Sequence, residues 1–212
     1  MHAVAYTVWL AVIWTAYVAW GYPHLAGMSA GFSVAIGESC RFLIFTAPLF
    51  VIFQSRSPWR ALGVRIPPGR WLIGGLLVAA TWAAVSLFLA SRIQHRTFNG
   101  VPEIAFWFTG FSTATVIEEV SFRGYFTQQL SRYGSRFAIV ASSVLFVLIH
   151  FPGWYLLNLL PGYRAYLSHS LSILLLGVAL GWLFLKCGSI WPGVILHAVN
   201  NLAAALTSAG GG

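Results

Sequence analysis

Residues 71–90 read WLIGGLLVAATWAAVSLFLA, an unbroken run from Trp71 to Ala90 with no charged side chain. A helix rises about 1.5 Å per residue, so a run of this length reaches across the roughly 30 Å hydrocarbon core of a bilayer. The rest of the chain is similar in kind. Of its 212 residues, 58% are hydrophobic and 8% charged, and the mean hydropathy is +0.79, far from the balance of a soluble domain. Seven segments have the length of a span: about 4–21, 33–54, 71–90, 104–126, 137–157, 166–186 and 189–208. In lipid every backbone polar group must be satisfied within the protein, which for such runs means helices. The expected fold is all-α, a polytopic membrane helical bundle of about seven transmembrane helices. Glu38 and Arg41 inside the second segment leave six or eight open.

The loops give no division. The Pro- and Gly-bearing stretches Gly63–Gly69, Asn99–Pro102 and Pro152–Gly162 are of loop length, so residues 1–212 are expected to form a single integral membrane domain with a frayed Gly210–Gly212 tail. The start of the chain has no basic n-region and too long an apolar stretch for a signal peptide, and it reads as a retained first span. Cys40 and Cys187 form no CxxC and imply neither a disulfide framework nor a zinc motif.

The net charge of +8 raises the question of nucleic acid. The positive residues are spread over inter-helix loops and do not line one face, which excludes a nucleic-acid footprint. They report orientation instead. Arg56, Arg60, Arg65 and Arg70 crowd one loop, which the positive-inside rule places in the cytoplasm with the N-terminus. Arg132, Arg136 and Lys186 fall on the same side, against Arg92, Arg96 and Arg164 on the other. The expected location is a cytoplasmic (inner) membrane, crossed several times. Small size and eleven Arg against one Lys suggest a bacterial source.

Against this background the acids stand out. The chain has four Glu and no Asp, and two of the four, Glu118 and Glu119, are adjacent at the end of an apolar run. A carboxylate at membrane depth costs at least roughly 2.5–3.5 kcal/mol on insertion scales, so such a residue is a functional-site hypothesis by default. Positions four apart share a helix face. Glu119 and Arg123 form such a pair, and Glu118, about 100° around the helix, is left without that partner. Phe146 with His150, and His197 with Asn201, form two more pairs. Lys186-Cys187-Gly188 closes the sixth segment, and Ser189 with Pro192 opens the seventh, so His197 and Asn201 lie well inside a helix. Three helices thus point one carboxylate, two imidazoles and one amide at a common place. That set suffices for hydrolysis: a base for water, a group to orient it, and donors for an oxyanion. Taken singly, each residue also has a plainer use. Glu119–Arg123 neutralises itself in lipid, while His150, His169, Asn200 and Asn201 serve as interhelical hydrogen-bonding groups. Glu38–Arg41 reads as a self-neutralising pair near the outer interface.

The three pairs also resemble a family. Glu118-Glu119-Val120-Ser121-Phe122-Arg123 matches EExxxR, Phe146-Val147-Leu148-Ile149-His150 matches FxxxH, and His197-Ala198-Val199-Asn200-Asn201 matches HxxxN. In this order they are the motifs of the CPBP family, which comprises CAAX prenyl endopeptidases of the Ras-converting type and bacterial relatives linked to bacteriocin processing or immunity. The resemblance covers about residues 105–207. It implies a metal-independent glutamate-type intramembrane protease without a cofactor, acting on a membrane-associated peptide or protein, for instance at its C-terminal segment. By the same resemblance Glu118 is the general base and His150 helps hold the water, while His197 and Asn201 stabilise the oxyanion. Glu119 and Arg123 support Glu118.

Other intramembrane chemistries meet obstacles. An aspartyl mechanism has no Asp, no His is followed by Glu as HExxH requires, and Gly110-Phe111-Ser112 continues with Thr113 where a rhomboid-like GxSG needs Gly. Two alternatives stay open: a zinc site built from Glu118, His150 and His197, and a transporter or scaffold using the same polar core as a proton relay or helix glue.

Overall fold

The computed structural model describes residues 2–25, 27–53, 57–92, 96–98 and 100–207. Arg56, Asn99, the ends of the expected second and seventh spans and the Gly210–Gly212 tail lie outside the described residues. Among the described residues there is no strand, and the protein is an all-α membrane bundle. Five helices are long and apolar enough to cross a membrane: α1 (His2–Leu25), α2 (Ala30–Ile52), α3 (Gly69–Arg92), α5 (Ser135–Leu156) and α6 (Tyr163–Cys187). Between and after them run α4 (104–130) and α7 (Trp191–Leu206). These two fall short as spans for a physical reason. The middle of α4 carries Glu118, Glu119 and Arg123, and α7 has 16 residues, about 24 Å of helix. They are the helices that bear most of the candidate site.

The lipid-facing side is written in stripes. On α6, Leu167, Leu171 and Leu175 recur every four residues and are each more than half exposed, the reverse of a soluble helix, whose apolar stripe faces the core. The interior is built around α4, where Phe122, Tyr125 and Phe126 are buried against Tyr6, Phe45, Phe146 and Leu180. Small residues set the closest helix approaches, as is usual where lipid offers no hydrophobic drive. A Cβ on Gly75 of α3 would come within 3.0 Å of Pro192 on α7, and one on Gly177 of α6 within 2.9 Å of Ser143 on α5. Gly124 of α4 lies so close to the Leu62 carbonyl that no larger residue fits without movement.

Besides a π-helical stretch of α1 at Tyr17–Gly21, three features near the site depart from straight spans. First, α2 is interrupted at Thr46, between Ala30–Phe45 and Ala47–Ile52, because Pro48 has no N–H to give. The carbonyl four residues before it, Ile44, instead accepts from Trp9 Nε1 at 2.9 Å. The neighbouring Phe45 carbonyl accepts from the Tyr6 hydroxyl and from Ser121 Oγ at 3.1 Å. Second, α5 breaks at Ile149–His150, two residues before Pro152, and the Ile149 carbonyl accepts from Trp14 Nε1 at 2.9 Å. Breaks of this kind are tolerated in lipid only when neighbours re-satisfy the freed groups, and α1 supplies three of those donors. Third, α4 widens into π-helix at Thr109–Thr113 and Val120–Thr127. Hydroxyls support both stretches by donating to carbonyls five residues back, Ser112 to Trp107 at 2.8 Å and Thr127 to Phe122 at 2.9 Å.

Candidate active site

Glu118 and Glu119 sit on the last α-helical turn before the second π stretch, Ala114–Glu119. Their surroundings differ. Glu119 is fully buried: its Oε1 accepts from His197 Nδ1 at 3.0 Å, and its Oε2 lies 3.4 Å from Arg123 Nε. Gly193, one turn before His197, makes this approach possible, since a Cβ there would stand 3.0 Å from Glu119 Oε2. The Glu118 side chain keeps 17% of its surface exposed, and its Oε2 faces His197 Nε2 across 3.8 Å. Glu119 is thus enclosed and Glu118 partly exposed, with His197 between them.

Arg123 is 1% exposed and makes few aligned bonds. Its Nη2 donates to the Gly177 carbonyl at 3.4 Å, while Nε and Nη1 have no aligned hydrogen-bond partner among the described residues. Its guanidinium carbon stands 4.4 Å above the Phe146 ring, where the negative face of the quadrupole stabilises a desolvated cation. The same ring meets both imidazoles edge-on, His150 at 5.0 Å and His197 at 5.5 Å. Phe146 is therefore the spacer around which the cation and the two histidines are arranged.

His150 occupies the break of α5 and not the helix interior anticipated for 137–157. Its Nδ1 is 2.7 Å from the Phe146 carbonyl. A carbonyl can only accept, so Nδ1 carries hydrogen and Nε2 is the nitrogen left to face the site. Asn201 lies one turn after His197, as expected, and its Nδ2 donates to the Gly110 carbonyl in the first π stretch of α4 at 2.8 Å. An amide nitrogen has two hydrogens, and this bond uses one. Asn200 joins α3 to the site: its Oδ1 accepts from Trp82 Nε1 at 2.9 Å and its Nδ2 donates to Asn201 Oδ1 at 3.3 Å. Among the described residues no three His, Cys, Asp or Glu side chains converge in a metal-binding arrangement. Cys40 and Cys187 are both free.

A cavity of about 370 Å³ adjoins His150 and Asn201 and extends to Arg96, Ser168, His169 and Ser172. Arg96 and the two serines have no motif or helical partner to mark them in the sequence, and His169 reads there only as an interhelical hydrogen-bonding group. It is the tertiary packing of α3, α6 and α7 that brings them to one wall. Where chemistry is concerned, the arrangement offers a partly exposed carboxylate facing His197 Nε2, with His150 packed on the same Phe146 ring as His197 and the Asn201 amide one turn after His197.

Neither a curated protein nor a solved structure gives a significant match to the chain. A family model described as Type II CAAX prenyl endopeptidase Rce1-like matches residues 100–203, a stretch that holds all three motifs and nearly coincides with the 105–207 expected from them. Through these residues the chain belongs to the Rce1-like family of type II CAAX prenyl endopeptidases and is a membrane protease of that family.

Proposed function

We propose that this protease hydrolyses a peptide bond of a membrane-associated protein or peptide by direct attack of water activated at Glu118, without metal or covalent intermediate. The observation that supports this most is the asymmetry of the glutamate pair: Glu119 is enclosed between His197 and Arg123, whereas Glu118 alone stays accessible. A water bonded to Glu118 Oε2 and His150 Nε2 would be deprotonated by the carboxylate as its oxygen attacks the carbonyl carbon. His197 gives its Nδ1–H to Glu119, so only as the imidazolium, with a second N–H at Nε2, would it meet the developing oxyanion together with the second N–H of Asn201. Glu119 holds His197 by Nδ1 and Arg123 balances Glu119. The protein sits in a bacterial cytoplasmic membrane with its N-terminus inside.

The family's name supplies the first substrate to try, a quenched-fluorescence prenylated CAAX peptide presented in detergent micelles. Wild-type protein should cleave it and Glu118→Gln should not, while the variant keeps its melting temperature. Turnover by Glu118→Gln near the wild-type rate would end the assignment of the base. The zinc alternative separates by chelation. A zinc-bound water depends wholly on its ion, so activity that survives a strong chelator excludes it, and activity lost to chelator and restored by zinc would replace the glutamate mechanism.

A further inference from the structure

Glu38 and Arg41 lie in α2, outside the matched stretch and outside every motif. A carboxylate and a guanidinium within a span need each other, and Arg41 Nη1 is 3.0 Å from Glu38 Oε1. For neutralisation alone the pair needs no third partner. The structure supplies one. Glu38 Oε2 accepts from Thr113 Oγ1 at 2.7 Å, across to α4 and five residues before Glu118. A hydroxyl has one hydrogen, and Thr113 Oγ1 also lies near its own helix's Phe108 carbonyl. The two contacts compete for that hydrogen, the Phe108 carbonyl at 2.5 Å and Glu38 at 2.7 Å, and a charged acceptor favours the bond to Glu38. Thr113 closes the π stretch Thr109–Thr113, the stretch whose Gly110 carbonyl receives the Asn201 amide. The other member of the pair reaches the second motif helix. Arg41 stands 6.0 Å from the Trp14 ring, and Trp14 donates to the Ile149 carbonyl beside His150. A cavity of about 300 Å³ lies against Glu38, Arg41 and Thr109, so this region is held by few directed bonds and not by dense packing.

We propose that Glu38 is a positioning residue for the hydrolytic site. By holding Thr113 it fixes the π stretch of α4, and through Gly110 it sets where the Asn201 amide stands relative to Glu118. The inference rests on the hydrolytic reading above and on the oxyanion role of Asn201.

The test uses the full-length protein in detergent and the same prenylated CAAX peptide. Thr113→Val keeps the shape and removes the hydroxyl, Thr113→Ser restores it, and Glu38→Gln keeps the size while removing the charge. Misplacing an oxyanion donor affects the transition state more than the bound substrate. Thr113→Val and Glu38→Gln should therefore each lower kcat by about tenfold with KM unchanged, part of the 10²–10³ range for full loss of such a donor, and Thr113→Ser should keep wild-type kcat. The double variant Glu38→Gln/Thr113→Val should be no worse than either single one, since both cut one link. Full kcat in Thr113→Val, multiplicative effects in the double variant, or a loss that follows melting temperature and not kcat would each overturn the proposal. If Glu118→Gln also turns over normally, the hydrolytic reading has failed. If Glu118→Gln is dead and Thr113→Val is normal, only the role of Glu38 has.

Discussion

Arg123 is the largest fully buried side chain among the described residues, and its neighbours show how a charge is tolerated there. Glu119 supplies the countercharge, the Phe146 face a polarisable lid and Gly177 a carbonyl. Truncating one member of a buried pair leaves the other uncompensated and costs roughly 3–5 kcal/mol, so Arg123→Ala should lower the melting temperature in detergent sharply and reduce the yield of folded protein. Asn201 is the contrasting case. Its bond to Gly110 is a single interhelical hydrogen bond, a class worth about 0.6 kcal/mol and at most about 1.7 in membrane proteins. Asn201→Ala should thus melt close to wild type yet lose about 10²–10³ in kcat with KM little changed, as for removal of an oxyanion donor. Equal destabilisation by the two substitutions, with full activity in the folded Asn201→Ala fraction, would leave Asn201 as interhelical glue. Helical spacing in the sequence was enough to pair Glu119 with Arg123 and to leave Glu118 free, because both relations are local. That His197 bridges the two glutamates is a relation between helices, which no spacing within one segment encodes.

At the scale of elements, α4 and α5 carry their candidate residues beside irregular stretches, whereas α7 brings His197 and Asn201 on an unbroken helix. Hydropathy located five helices that are long and apolar enough to span, out of the seven segments expected, since burial in lipid is a property of composition. It treated 33–54 and 137–157 as continuous, although Pro48 and Pro152 mark where each is interrupted. It gave no sign of the π stretches of α4, whose ladder depends on which hydroxyls and neighbouring carbonyls the packed bundle brings together. It also left residues 1–100 without a role, and the structure gives α1 one. Its Tyr6, Trp9 and Trp14 side chains donate to the carbonyls freed at the breaks of α2 and α5. Losing a donor to a buried carbonyl costs about 1–3 kcal/mol. Trp9→Phe and Trp14→Phe should each lower the unfolding free energy by about that amount. Only Trp14→Phe should also lower turnover in the protein that remains folded, because the α5 break carries His150. Equal turnover in the two variants, measured per folded molecule, would detach α1 from the site.

At the scale of the whole molecule, charge and cavity lie at opposite ends. Among the described residues, Arg60, Arg65, Arg70, Arg132, Arg136 and Lys186 gather at one end with no acid among them. That end is joined by the Arg65 Nε bond to the Gly188 carbonyl at 2.8 Å and the Ile190 N–H bond to Gly63 at 3.1 Å, and Gly188, the left-handed cap of α6 at φ +63°, makes the turn that allows both. The cavity beside His150 is lined instead by the late part of α3, the early part of α6 and the late part of α7. Chain direction places all three at the other end, where Arg92, Arg96 and Arg164 are offset in part by Glu103. Cytoplasmic loops carry the excess of Lys and Arg. The cleft is therefore expected to open away from the cytoplasm, and the scissile bonds offered to it should lie on outward-facing segments. Cysteine labelling decides this without reference to activity. In a Cys40→Ala/Cys187→Ala background, a membrane-impermeant maleimide added to intact spheroplasts should label Ser168→Cys, in the exposed wall of the cavity, and leave Ser135→Cys, in the basic end, unlabelled until the membrane is permeabilised. The reverse pattern would turn the molecule over in the membrane, and substrates would then have to approach from the cytoplasm.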